Sequence, residues 1–137
     1  MIGLVLVAHG NLAHEFLNVL QHVAGGVPAQ AKAVGMEADE DMDAKREEIL
    51  QAIDAVNTGD GVMVLTDMFG GTPSNLAISM LDQKNIEVLA GMNIPMLVKA
   101  NSLRDKLPLN QAVLQAKEAG RKYINVASEL LSEGVAK

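Results

Sequence analysis

Two residues with reactive side chains sit where apolar runs stop. In "VLVAHGN" (Val5 to Asn11) four apolar residues lead into His9 and Gly10, and "VMVLTDMFGGTPSN" (Val62 to Asn75) repeats the layout with Asp67 in the histidine's place. A carboxylate that accepts one imidazole N–H fixes the tautomer and leaves the other ring nitrogen's lone pair pointing outward as a nucleophile. The same carboxylate stabilises positive charge as the ring reacts. The glycine-rich stretch that follows indicates the electrophile. Gly70 and Gly71 permit close backbone approach, Thr72 reads as a helix N-cap, and Pro73 reads as the first helical residue. Amide groups at such a helix start favour an anion, and a phosphoryl group fits. His9 and Asp67 are thus the candidate catalytic pair, with Gly71, Thr72 and Ser74 as candidate phosphate-binding residues. Together they describe a phosphohistidine site.

These residues need a scaffold that brings the ends of two apolar runs together. Ile2 to Ala8 is nearly continuous in apolar residues, the pattern of a strand buried on both faces. Leu12, Phe16, Val19, Leu20 and Val23 recur at helical spacing, with Asn11 placed to cap and Gly25-Gly26 to stop the helix. A weak strand is expected around Lys32 to Gly35. Met42, Ile49, Ala52, Ile53 and Val56 mark a second helix, whose start carries the acidic run from Asp39 to Asp43. Asn57 to Gly61 is a turn, Val62 to Thr66 a strand, Pro73 to about Leu81 a helix, and Ile86 to Ala90 a fourth strand. A further helix is expected from about Asn110 to Gly120, and the segment after Arg121 reads equally as strand or helix.

Strands alternating with helices predict one doubly wound α/β domain over residues 1–137, with a mainly parallel four-stranded sheet in the order 2-1-3-4. In that order strands 1 and 3 flank the switch point, where ligands bind beyond the carboxyl ends of the strands. Taken singly, a histidine at a strand end, an aspartate before a turn and a Gly-Gly-Thr-Pro helix start are ordinary. Their convergence at one switch point carries the functional reading.

Composition narrows the function classes. A chain of 137 residues can bury roughly two-thirds of its unfolded surface and needs no metal or disulfide to fold. Cysteine is absent, which excludes thiolate catalysis and cysteine-ligated metal sites. A formal charge of −6 argues against nucleic acid or an anionic membrane as partner. The apolar start has no Lys or Arg before it and is interrupted at His9, so it is not expected to be a secretory signal. With no run long enough to span a bilayer, a cytoplasmic protein is expected.

Competing chemistries lack a part. The run beginning at Asp39 starts like a calcium loop, but its sixth position is Ala44 and its twelfth Leu50. His14 and His22 lie eight apart on one helix, about 80° around it, and make a poor ligand pair. No GxxxxGK[ST] or GxGxxG motif supports ATP or a dinucleotide. A receiver-type phosphoaspartate at Asp67 would need an acidic pair after the first strand, where Ala8-His9 stands. Neither metal nor cofactor is expected.

The stretches "LVAHG", "TDMFGGTPSN" and "AGMNIPMLVKA" resemble the mannose-family IIA component of the bacterial phosphoenolpyruvate-dependent sugar phosphotransferase system, over nearly the whole chain. The resemblance implies a histidine phosphorylated by the phosphocarrier HPr that passes the group to a IIB component, and it places that role on His9. It implies Asp67 as the histidine's partner and Thr72 as the hydroxyl of the glycine-rich turn. It also implies a homodimer joined partly by a C-terminal strand exchanged between protomers. Two departures stand out. An aromatic residue often follows the proline of the turn, whereas this chain has Ser74, and many relatives continue into a IIB domain, whereas this sequence stops at Lys137. The acceptor is therefore expected to be a separate protein. A regulatory sensor of phosphorylation state and the phosphoryl-carrying subunit of a dihydroxyacetone kinase remain as alternatives. Met68 and Phe69 are the candidates for an apolar partner-contact rim around His9, unless both belong to the core.

Overall fold

The computed structural model describes residues 1–68, 71–81 and 85–132. The chain runs β1 (Gly3–His9), α1 (Leu12–Ala24), β2 (Ala31–Met36), α2 (Met42–Val56), β3 (Val62–Thr66), α3 (Thr72–Ile78), β4 (Ile86–Ala90), α4 (Ile94–Leu103), α5 (Leu109–Lys122) and α6 (Ala127–Ser132). The four strands are all parallel, in the expected order β2-β1-β3-β4.

Strand alternation divides the core into two layers. Leu4, Leu6 and Ala8 of β1 and Met63 and Leu65 of β3 face one side, where Leu20, Leu97 and Ala116 of α1, α4 and α5 cover them. Val5, Val7, Val62 and Val64 face the other, against Ile49 and Ile53 of α2 and Ala77 of α3. Burial on both faces explains why β1 reads as an unbroken apolar run.

The helix ends differ from the expected ones in detail. Asn11 occupies the N-cap of α1 but makes no side-chain cap bond; its amide instead donates to Glu15 Oε1 at 3.2 Å. Asp41 does cap α2, accepting from the Asp43 N–H at 3.0 Å. The N-cap of α3 is Gly71 rather than Thr72, which is already helical, because the Gly71 carbonyl accepts from the Asn75 N–H and starts the ladder. Helix α4 was not foreseen. Its N-cap is Asn93, whose side chain accepts from the Met96 N–H at 3.0 Å and donates to the Gly120 carbonyl at 2.9 Å, tying α4 to α5.

At the amino ends of the strands, buried Arg104 acts as a clamp. Its guanidinium donates to the carbonyls of Ile2 and Gln30, each at 3.0 Å, to that of Ala29, and to Asn101 Oδ1 at 3.3 Å. Burial pushes its pKa down, with Asp105 pulling the other way. Beyond α5 the segment that read as strand or helix carries the short helix α6, and among the described residues the single chain adds no C-terminal strand to the sheet. A fifth strand would need a neighbouring edge to satisfy its backbone, whereas a helical turn satisfies part of its own.

Candidate functional site

The parallel sheet delivers the carboxyl ends of β1 and β3 side by side, with Val7 opposite Thr66 in the register. His9 closes β1 and Asp67 follows β3 directly. One carboxylate oxygen, Asp67 Oδ2, accepts twice from the same residue: from the His9 backbone N–H at 3.0 Å and from the His9 ring, whose Nδ1 lies 2.7 Å away. The other oxygen, Oδ1, accepts from the Met68 N–H at 3.0 Å. The carboxylate is thereby held by two backbone amides and has no freedom to turn from the ring. An ionised carboxylate accepts only, so the ring must be the donor, with its proton on Nδ1 and the Nε2 lone pair facing outward.

Exposure is divided to match these roles. The His9 side chain is 53% exposed and that of Asp67 13%. Burial alone would push the Asp67 carboxyl up. The His9 backbone N–H, the His9 ring and the Met68 N–H outweigh it and hold the group below the ordinary carboxylate value. Asp67 is therefore an anion at neutral pH, fit to orient the ring and to balance charge on it.

Gly71 reaches the same ring. A Cβ built there would stand 2.9 Å from His9 Cε1 and 3.4 Å from Nε2, so glycine lets this backbone lie against the outer edge of the ring without displacing it. Thr72 is exposed at the first helical position beside it. Ser74 is buried, and its hydroxyl donates back to the Gly71 carbonyl at 3.0 Å, so its side chain closes the turn rather than reaching out to a ligand. The amides of Thr72 and Ser74 belong to the first turn and have no acceptor inside the helix. Met68 is 56% exposed, whereas Phe69 lies outside the described residues, as does Gly70.

No pair comparable to His9 and Asp67 involves His14 or His22 among the described residues, and no three His, Asp or Glu side chains there gather as a metal site. A cleft of about 790 Å³ lies at the opposite end of the sheet around Asn85, Arg104 and Leu109. Sequence reasoning assigned Gly71 to phosphate and did not anticipate its contact with the His9 ring.

Residues 3–117 match the family described as the PTS system fructose IIA component, of mannose-type EIIA. The chain belongs to this family. Members are phosphotransferases that carry a phosphoryl group on histidine within the sugar phosphotransferase system, and this chain is such a IIA phosphoryl carrier. It is 28% identical over 137 residues to the fructose-specific EIIA component of Bacillus subtilis (strain 168), covering 97% of this chain and 91% of that protein. It is 32% identical over 128 residues to the mannose-specific EIIAB component of Escherichia coli (strain K12), covering 90% of this chain but 38% of that longer protein. Among solved structures, EIIA from Streptococcus agalactiae superposes with a TM-score of 0.85 at 26% identity, covering 94% of this chain and 99% of that one. Among the described residues no helix of this IIA component is long and apolar enough to cross a membrane.

Proposed function

We propose that His9 is the residue of this IIA component that carries the phosphoryl group, taking it from phosphorylated HPr and passing it to a separate IIB component for sugar uptake. The observation that carries this reading is the single Asp67 oxygen shared by the His9 N–H and Nδ1. In the forward step the Nε2 lone pair forms the new N–P bond as the donor's P–N bond breaks, and the released electron pair returns to the donor's ring. Positive charge arising on the His9 imidazole is balanced by Asp67 through Nδ1–H. Gly71 and the first-turn amides of Thr72 and Ser74 hold the phosphoryl oxygens, and half-exposed Met68 offers an apolar contact beside the ring to the docking protein. A protein phosphohistidine donor suits this site, which has one anion cradle and no lysine-bearing phosphate loop.

The carrier works in the cytoplasm as a homodimer. Tyr123, Ile124, Val126 and Leu131 support the dimer, because these large apolar side chains after α5 stand exposed in the single chain. Light scattering on a chain lacking residues 122–137 should give the monomer mass, and a dimer would remove this segment from the interface.

Incubation with phosphoenolpyruvate, enzyme I and HPr, with magnesium chelated once HPr is phosphorylated, should give one acid-labile, base-stable phosphoryl group. His9→Ala should take none. Full labelling of His9→Ala, or equal labelling by ATP and magnesium alone, would overturn the assignment of residue or donor.

A further inference from the structure

Next to His9 the chain makes an unusual approach to the neighbouring strand. Gly10 has φ +56°, in the left-handed region, and its N–H donates to the Met36 carbonyl at 2.8 Å in an isolated antiparallel bridge. The bridge turns the Gly10 carbonyl over β2. A Cβ on Gly35 would stand only 2.4 Å from that oxygen, and its next neighbours are the Gly10 carbonyl carbon at 3.6 Å and His14 Cε1 at 3.7 Å. Gly35 is not among the glycines with positive φ, so its backbone would accept any residue. What its missing side chain supplies is room, and that room holds the Gly10 carbonyl.

We propose that Gly35 of β2 is a positioning residue for His9, in that the gap at Gly35 seats the Gly10 carbonyl and so fixes the His9 ring and backbone N–H on Asp67. The phosphoryl-transfer consequence rests on His9 being the carrier residue, whereas the positioning itself does not. A backbone oxygen cannot swing aside as a flexible side chain can. With alanine at position 35 the Gly10 carbonyl, part of the Gly10–Asn11 peptide, must retreat, and the shift reaches His9 through the Gly10 Cα and the His9–Gly10 peptide. The ring and the N–H that meet Asp67 Oδ2 both branch from the His9 Cα, so a displaced His9 Cα disturbs both hydrogen bonds.

Gly35→Ala provides the test, with two readouts on the same protein. The first is the ¹⁵N spectrum of the His9 imidazole before phosphorylation, which should show the Nδ1–H tautomer in the unsubstituted chain and a mixture in the variant. The second is the rate of phosphoryl uptake from phosphorylated HPr, expected to fall by about ten- to a hundredfold, the scale of an ångström's misplacement. Gly3→Ala is the control. Its Cβ would meet the Val56 carbonyl oxygen at 2.5 Å, an equally tight backbone clash at the far end of β1, so it should lose stability yet keep the His9 spectrum and the rate per folded molecule. A folded Gly35→Ala with the native spectrum and rate overturns the proposal. If Gly35→Ala does not fold, Gly10→Ala, whose Cβ meets open space but whose φ is strained, should move the same signals, and an unmoved spectrum and rate there overturn it equally. A moved spectrum in a protein whose unsubstituted form accepts no phosphoryl group would uphold the positioning and refute the carrier assignment alone.

Discussion

Replacing Asp67 with asparagine keeps the shape of the site and removes its charge. The carboxylate accepts three N–H donors, two on Oδ2 and one on Oδ1. An amide can satisfy only one side. With its oxygen toward His9 it sets NH₂ against the Met68 N–H; turned over, it sets NH₂ against the His9 N–H and makes Nδ1 an acceptor. The second arrangement moves the ring proton to Nε2 and removes the nucleophile. Each arrangement leaves one backbone donor facing another, at about 1–3 kcal/mol of stability, so the wrong tautomer becomes well populated. The lost charge adds to this. Unit charges about 4 Å apart interact by about 1 kcal/mol in water and about 4 kcal/mol near a protein surface, and a carboxylate 13% exposed beside a ring 53% exposed falls between these limits. A loss of about 2–3 kcal/mol in the transition state slows transfer by about thirty- to two-hundredfold. Rapid-quench measurement of phosphoryl uptake from phosphorylated HPr, with circular dichroism to confirm folding, reads this directly. A folded Asp67→Asn that accepts phosphate at the native rate would refute the orienting role and the electrostatic argument together.

The lowered Asp67 pKa has a pH signature. Because the folded-state value lies below the ordinary 3.8, the group's stabilisation is fully present above about pH 4 and is lost as pH falls through the folded-state value. The stability gap between the native chain and Asp67→Asn, from urea unfolding, should narrow as pH falls below about pH 4; a gap that widens there contradicts the sign. Gly71→Ala should slow phosphoryl uptake by about tenfold without unfolding the protein, since its Cβ would press on His9 Cε1 at 2.9 Å; an unchanged rate would mean that the ring moves freely. Arg104→Ala strips donors from buried carbonyls at the other end of the sheet and should cost about 3 kcal/mol or more in urea unfolding, with uptake per folded molecule unchanged.

Sequence pattern reached furthest where one physical cause dominated. The apolar runs of β1, β3 and β4 are strands of a parallel sheet, and 2-1-3-4 is a common order for such sheets, so the meeting of His9 and Asp67 is legible in the sequence. Helix α4 escaped because its start depends on Asn93, and an asparagine before Ile94-Pro95 reads as readily as a turn. Thr72 lost the N-cap to Gly71 because the helical ladder starts one residue earlier, with the Asn75 N–H on the Gly71 carbonyl, and Ser74 Oγ adds a second bond there that spacing alone does not reveal. Gly35 carried no sequence signal at all: its partner is Gly10, and only the pairing of β1 with β2 brings them together. The segment after α5 was ambiguous for a different reason. Its large apolar residues Tyr123, Ile124, Val126 and Leu131 stand exposed among the described residues, so the packing that would decide between strand and helix is not in the local sequence.

The central claim is that Nε2 of His9 carries the phosphoryl group while Nδ1 stays on Asp67. Two-dimensional NMR on protein labelled with ¹⁵N in histidine and phosphorylated through HPr tests it most directly, because coupling to ³¹P names the bonded nitrogen. The account predicts one phosphohistidine, at His9, with the ³¹P coupling on Nε2 and the proton retained on Nδ1. Phosphate on Nδ1 of His9, or on His14 or His22, would contradict it.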